Sequence, residues 1–138
     1  MAEFSEPADD LSIYGKWDFV ERLLELFPGL RPTFDANSDF HDRLPHVVFG
    51  IGWWPWLEPQ LDGDDRHQLL ASTAQLFSEM LASGNESWHE VAVLSGLEHF
   101  LRDQSLWGDL RAAGDARVNA EMTRMEPHYH LPRKRNTV

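Results

Sequence analysis

Apolar side chains recur at three- and four-residue intervals along most of this chain, and this spacing constrains the fold most. Since an α-helix has 3.6 residues per turn, the spacing predicts amphipathic helices. No stretch shows the sustained alternation that is typical of a half-buried strand. The sequence therefore predicts an all-α fold. In the first predicted helix, over residues 16–27, the apolar face consists of Trp17, Val20, Leu23, Leu24 and Phe27.

Turn signals divide the rest of the chain into further predicted helices. Pro32-Thr33 and residues 35–38 are typical of turns, residues 39–44 suit a short helical turn, and Pro45 suits the first turn of a new helix. Helices are predicted over 65–83, 87–102 and 104–125, with Gly114 as a break in the last. Glu90 lies three residues after Ser87, which is the spacing of a capping box. Short connections favour four to six helices packed as antiparallel hairpins in a compact bundle.

The apolar stretch 46–57 contains three tryptophans in four residues, Trp53, Trp54 and Trp56, around Pro55. Proline lacks an N–H group and clashes with the preceding turn, which predicts a kinked central helix. Three neighbouring tryptophans cannot all face one side of a helix, so we expect one of them at the surface. Such a ring could complete the core, anchor a partner or line a ligand pocket.

At 138 residues the chain has room for one domain, which we place at 16–125. Residues 1–15 look like a loose leader. Residues 126–138 look like a tail made basic by Arg133, Lys134 and Arg135. The first residues lack the basic and apolar regions of a signal peptide, and no apolar run approaches the ~20 residues of a membrane span. We expect a cytoplasmic protein without membrane contact.

The chain carries 23 acidic against 12 basic side chains, a formal net charge of −11. Such a surface repels phosphate backbones and anionic membranes, which argues against nucleic-acid binding. The acidic groups concentrate in two predicted loops. They either solvate the surface or attract a basic partner. The two groups are Asp35, Asp39 and Asp42, and Asp62, Asp64 and Asp65.

Familiar catalytic signatures are missing from the sequence. There is no cysteine, which excludes thiolate zinc sites and cysteine nucleophiles. No serine lies in a Gly-x-Ser-x-Gly elbow, and neither a phosphate-binding loop nor a dinucleotide fingerprint is present. We therefore expect no enzymatic activity and no cofactor.

Seven histidines leave a metal site open as the alternative. The helical signature of two histidines four residues apart is absent, because Val91, Ala92 and Val93 follow His89-Glu90. We favour scattered histidines and no bound metal. Glu98 lies at the edge of an apolar helix face, where a carboxylate needs hydrogen bonds; we interpret it as structural. A metal-dependent site would have to use His41, His46, Glu98, His99, His128 and His130.

Four packing motifs make residues 16–110 resemble a small helical family of uncharacterised bacterial proteins. That family is similar in size and charge to the immunity proteins encoded beside polymorphic toxins. Glu98 matches the family pattern and brings no catalytic role, whereas the tryptophan cluster and the basic tail depart from it. The motifs are Phe19-Val20 to Phe27-Pro28, Leu44-Pro45-His46-Val47, Leu76-Phe77 with Met80-Leu81, and Val91-x-Val93-Leu94 with Leu97-Glu98.

The resemblance and the acidity together predict a non-enzymatic protein that neutralises a bacterial toxin by covering its basic active-site surface. An exposed aromatic anchor and the acidic loops would make the contact. The alternatives are the metal-binding protein described above and a small-ligand binder that uses the tryptophans. The predicted partner-binding residues are Asp35, Asp39, Asp42, Trp54, Asp62, Asp64 and Asp65.

Overall fold

A computed structural model describes residues 19–36, 45–102 and 104–128, and these residues form helices joined by short turns without a β-strand. The all-α prediction is therefore confirmed for this part of the chain. None of its helices has the length and apolarity needed to cross a membrane. The α-helices are α1 (Phe19–Leu26), α2 (Arg31–Ala36), α3 (Pro45–Val47), α4 (Trp54–Leu57), α5 (Arg66–Ala82), α6 (Glu86–Glu90), α7 (Gln104–Ala113) and α8 (Ala116–Met125).

Helix α1 has the apolar face that its spacing predicts, with Val20, Leu23 and Leu24 buried. The guanidinium of Arg22 fixes it to α5 by two hydrogen bonds to Glu79, Nε–Oε1 at 2.8 Å and Nη2–Oε2 at 2.6 Å. A 3₁₀ turn (Pro28–Leu30) leads into α2. The turn prediction is wrong at Pro32-Thr33 and at residues 35–36, because buried Phe34 anchors a helix over 31–36 and proline is tolerated in its first turn. The rest of that prediction, over 37–44, lies outside the described residues.

Residues 45–62, the Trp segment, are helical throughout but change type three times. A π-helical turn (Val48–Trp53) follows α3, and a 3₁₀ turn (Glu58–Asp62) follows α4. The amide of Trp54 donates to the carbonyl of Phe49, five residues back. Pro55 lies in the first turn of α4, where its fixed φ suits a helix. The kink predicted at Pro55 stays a prediction; the helix type changes one residue before it, between Trp53 and Trp54.

A short turn separates the long helix α5 from α6. Gly84 adopts the left-handed conformation there, with φ of 71°. The predicted capping box at Ser87 is wrong, because α6 begins one residue earlier. Asn85 is the cap, and its Oδ1 accepts the amides of Ser87 at 2.8 Å and Trp88 at 3.1 Å.

Residues 86–102, the mixed helix, continue α6 as a π-helical turn (Val91–Gly96) and a 3₁₀ helix (Leu97–Arg102). Helices α7 and α8 follow as two elements, so the predicted break near Gly114 is confirmed. The carboxylate of Asp115 caps α8 by accepting the Val118 amide at 2.9 Å, and the Arg111 side chain bonds to Thr123 on that helix.

The core lies between the Trp segment, α5 and the mixed helix. At its centre the fully buried ring of Trp53 lies edge-on to Phe49 and Phe77, at centroid distances of 5.1 and 5.9 Å. Phe27 and Phe100 close the same cluster at 5.8 and 6.2 Å from Trp53. Because aromatic rings bury a large apolar area, this cluster packs the Trp segment against α5 and the mixed helix.

Candidate partner-binding surface

One face of the Trp segment lies against the mixed helix through Trp54, Glu58 and Asp62, which follow at four-residue intervals. The indole of Trp54 stacks on the imidazole of His99 with 4.7 Å between centroids and 9° between planes. Further along, Arg102 reaches Glu58 at 3.3 Å and Asp62 at 3.9 Å. These contacts join the tryptophan and the acidic residues into one continuous surface.

Burial of His99 lowers the pKa of its imidazole, and the nearby carboxylates of Glu58 and Glu98 only partly oppose this effect. The ring is therefore neutral at neutral pH. A neutral imidazole stacks flat on an indole without the hydration that a charged ring needs. Trp54 is half-buried as a result, so it is not the fully exposed anchor that the sequence suggests.

Exposed apolar groups flank this stack on the Trp segment. Ile51 is 51% exposed. Pro55 and Pro59 follow at four-residue intervals and are also exposed. Side chains at this spacing lie on neighbouring turns of one face. Ile51, Pro55, Pro59 and half-buried Trp54 form what we call the apolar stripe.

The apolar stripe ends at the acidic turn, defined as Asp62, Asp64 and Asp65, which joins the Trp segment to α5. All three side chains are exposed. Arg66 holds the turn in place through Asp109 at 2.6 Å and the carbonyl of Leu61 at 2.9 Å. Among the described residues, Asp64 and Asp65 make no ion pair, so their charges face solvent uncompensated.

The other predicted partner residues lie apart from this turn or outside the described residues. Asp35 is exposed in the last turn of α2, with its carboxylate 4.0 Å from Arg31. Asp39 and Asp42 lie outside the described residues. Of the two predicted acidic groups, only the one formed by Asp62, Asp64 and Asp65 is seen on the same surface as Trp54 among the described residues.

The residues of the alternative metal site serve other contacts. His46 is hydrogen-bonded to Ser95, and His99 stacks on Trp54. Glu98 is half-buried on the mixed helix. His41 and His130 lie outside the described residues, and exposed His128 closes the last 3₁₀ turn. Within the described ranges, no three histidine or acidic side chains converge as metal ligands would.

A charged cluster that the sequence analysis missed lies between α6 and α8. The side chain of Glu121 is 9% exposed, and its carboxylate bonds to Arg124 at 2.6 Å and to His89 at 3.2 Å. A signal for it was present, because Glu121 shares a helix face with Val118, Met122 and Met125. A carboxylate on such a face has to be paired, and Arg124 stands three residues later.

Comparisons with protein-family models, curated proteins and solved structures gave no match for this chain.

Proposed function

We propose that this chain is a non-enzymatic immunity protein that binds a cognate bacterial toxin and covers its basic active-site surface. One observation carries the proposal: the apolar stripe runs directly into the acidic turn, whose Asp64 and Asp65 lack cationic partners among the described residues. Exposed apolar side chains beside uncompensated negative charge form a surface that is complementary to a basic protein partner with apolar groups of its own. The resemblance to a family of uncharacterised bacterial proteins, which is similar in size and charge to immunity proteins, favours the same function.

The two parts of the surface have different physical effects. Exposed carboxylates, together with the net charge of −11, attract a basic partner and speed its association. Burial of Ile51 and of the edge of Trp54 under the partner stabilises the complex, so these side chains slow dissociation. A toxin that cleaves a phosphate backbone needs a basic cleft, and such a cleft is complementary to the acidic turn.

We further infer that the helices pack as antiparallel hairpins. The Trp segment and the mixed helix run in the same direction, because His46 meets Ser95 and Trp54 meets His99. The single helix between them, α5, then runs opposite to both. Neutralising a toxin in the cell that makes it also implies a cytoplasmic location.

Co-expression with the product of the adjacent gene tests the proposal. The native chain should restore growth to cells that make this product and should co-purify with it. Asp64→Asn/Asp65→Asn should slow association several-fold, because it removes the uncompensated charges. Glu21→Gln/Glu25→Gln, which removes two exposed carboxylates from α1, is the control with the same change in charge and should bind as the native chain does.

A second matched pair tests the apolar stripe. Ile51→Ser should raise the dissociation rate, whereas Leu94→Ser, at the other large exposed aliphatic side chain of the described residues (48% exposed), should not. The proposal is wrong if the adjacent product does not bind and its toxicity is unchanged by the native chain. Equal effects of both charge variants would show that only net charge affects association and would refute the assignment of the acidic turn to the binding surface.

A further inference from the structure

A cavity of about 430 Å³ opens between α6, the π-helical turn after it, and α8. It lies on different residues from the apolar stripe and the acidic turn. Glu86, Glu90 and Leu94 line it at four-residue intervals along one face of the mixed helix, and all three are exposed. A second cavity of about 370 Å³ shares Glu86 and His89 with the first, and Leu81 lies at its far side. The two cavities together form an elongated groove.

The charge in this groove is not balanced. Among the described residues that line the larger cavity, Arg124 is the only cation apart from histidine, and its Nη2 lies 2.6 Å from the buried carboxylate of Glu121. The two charges of this pair offset each other, although the Arg124 side chain itself is 67% exposed. Within the described chain Glu86 and Glu90 have no ion-pair partner, and like charges four residues apart on a helix repel each other. A cation between them would remove this repulsion.

The apolar lining indicates the form of that cation. Val93 and Leu94 lie one turn beyond Glu90, and Leu94 is 48% exposed. Lysine and arginine carry their charge on an aliphatic stem that packs on apolar surface while the charged end stays in water. We propose that this groove binds an extended basic peptide segment, which places a lysine or arginine stem on Leu94 and its charge between Glu86 and Glu90. The proposal does not depend on the toxin partner.

Titration of the native chain with a capped octapeptide of alternating lysine and alanine, followed by amide NMR shifts, tests this site. The shifts should concentrate in residues 81–94 and 121–124. Glu86→Gln/Glu90→Gln should weaken binding about fivefold, as two exposed ion pairs imply. Asp64→Asn/Asp65→Asn makes the same change in charge elsewhere and should alter the affinity less than about twofold.

Leu94→Ser should also weaken binding, whereas Ile51→Ser, the matched change on the apolar stripe, should not. Equal weakening by the two charge variants would overturn the proposal, because it would show attraction to net charge alone. Spermidine binding as tightly as the peptide would also overturn it in favour of a small polyamine. The toxin plays no part in this assay, so its result is independent of the proposed function.

Discussion

The contact between Gly96 and Phe77 offers a sharp test of how the mixed helix packs. A Cβ atom added at Gly96 would lie 2.5 Å from Cε1 and 2.7 Å from Cζ of Phe77. The ring cannot move aside freely, because it is fully buried and faces Trp53 and Phe100 at centroid distances of 5.9 and 6.2 Å. Overpacking of this kind costs about 1–3 kcal/mol.

Gly96→Ala should therefore lower the free energy of unfolding, even though alanine favours a helix over glycine by about 0.5–1 kcal/mol. We expect a net loss of up to about 2.5 kcal/mol, with a central value of about 1 kcal/mol. Gly108→Ala is the matched control, because a Cβ atom there meets no atom within 4 Å and Gly108 lies inside α7. That variant should gain about 0.5–1 kcal/mol.

Urea unfolding followed by far-UV circular dichroism measures both variants against the native chain. A third variant, Gly96→Ala/Phe77→Leu, should lose less than the sum of its two single changes, because a smaller side chain relieves the clash. If Gly96→Ala were as stable as Gly108→Ala, the close packing of the π-helical turn against Phe77 would be refuted.

Three further predictions concern charged groups. Arg124→Ala leaves the buried carboxylate of Glu121 with His89 alone and should cost about 1–3 kcal/mol in urea unfolding. A hydroxyl hydrogen bond from Ser78 lowers the pKa of Asp115, so its contribution to stability is present at neutral pH and lost in acid; Asp115→Asn should lose less stability than the native chain between about pH 7 and pH 3. Burial lowers the pKa of His99, so stability should fall as the pH drops below about 6.5, and His99→Gln should flatten that slope.

Helices with a regular apolar face could be predicted closely from the sequence. The helix predicted over 65–83 is α5 (Arg66–Ala82), and the buried positions of α1 follow its three- and four-residue spacing. These elements were predictable because solvent covers one of their faces, so burial leaves a periodic signal.

The Trp segment and the mixed helix were harder to predict, since their helix type depends on neighbours that are distant in sequence. Gly96 looks like an ordinary helix interruption until Phe77 is placed against it. The proposed partner surface could be predicted only in part, for the same reason. Trp54 was singled out by composition, but its stacking on His99 is a contact between residues 45 positions apart. The buried pair of Glu121 and Arg124 was missed, although its spacing was visible.

Hydrogen–deuterium exchange of the complex with the adjacent gene product tests the partner surface most directly. Amide exchange should slow over residues 50–65, which include the apolar stripe and the acidic turn, and should stay unchanged over 104–113 on α7. Protection confined to α7 or to other helices, with residues 50–65 exchanging as in the free chain, would contradict this prediction.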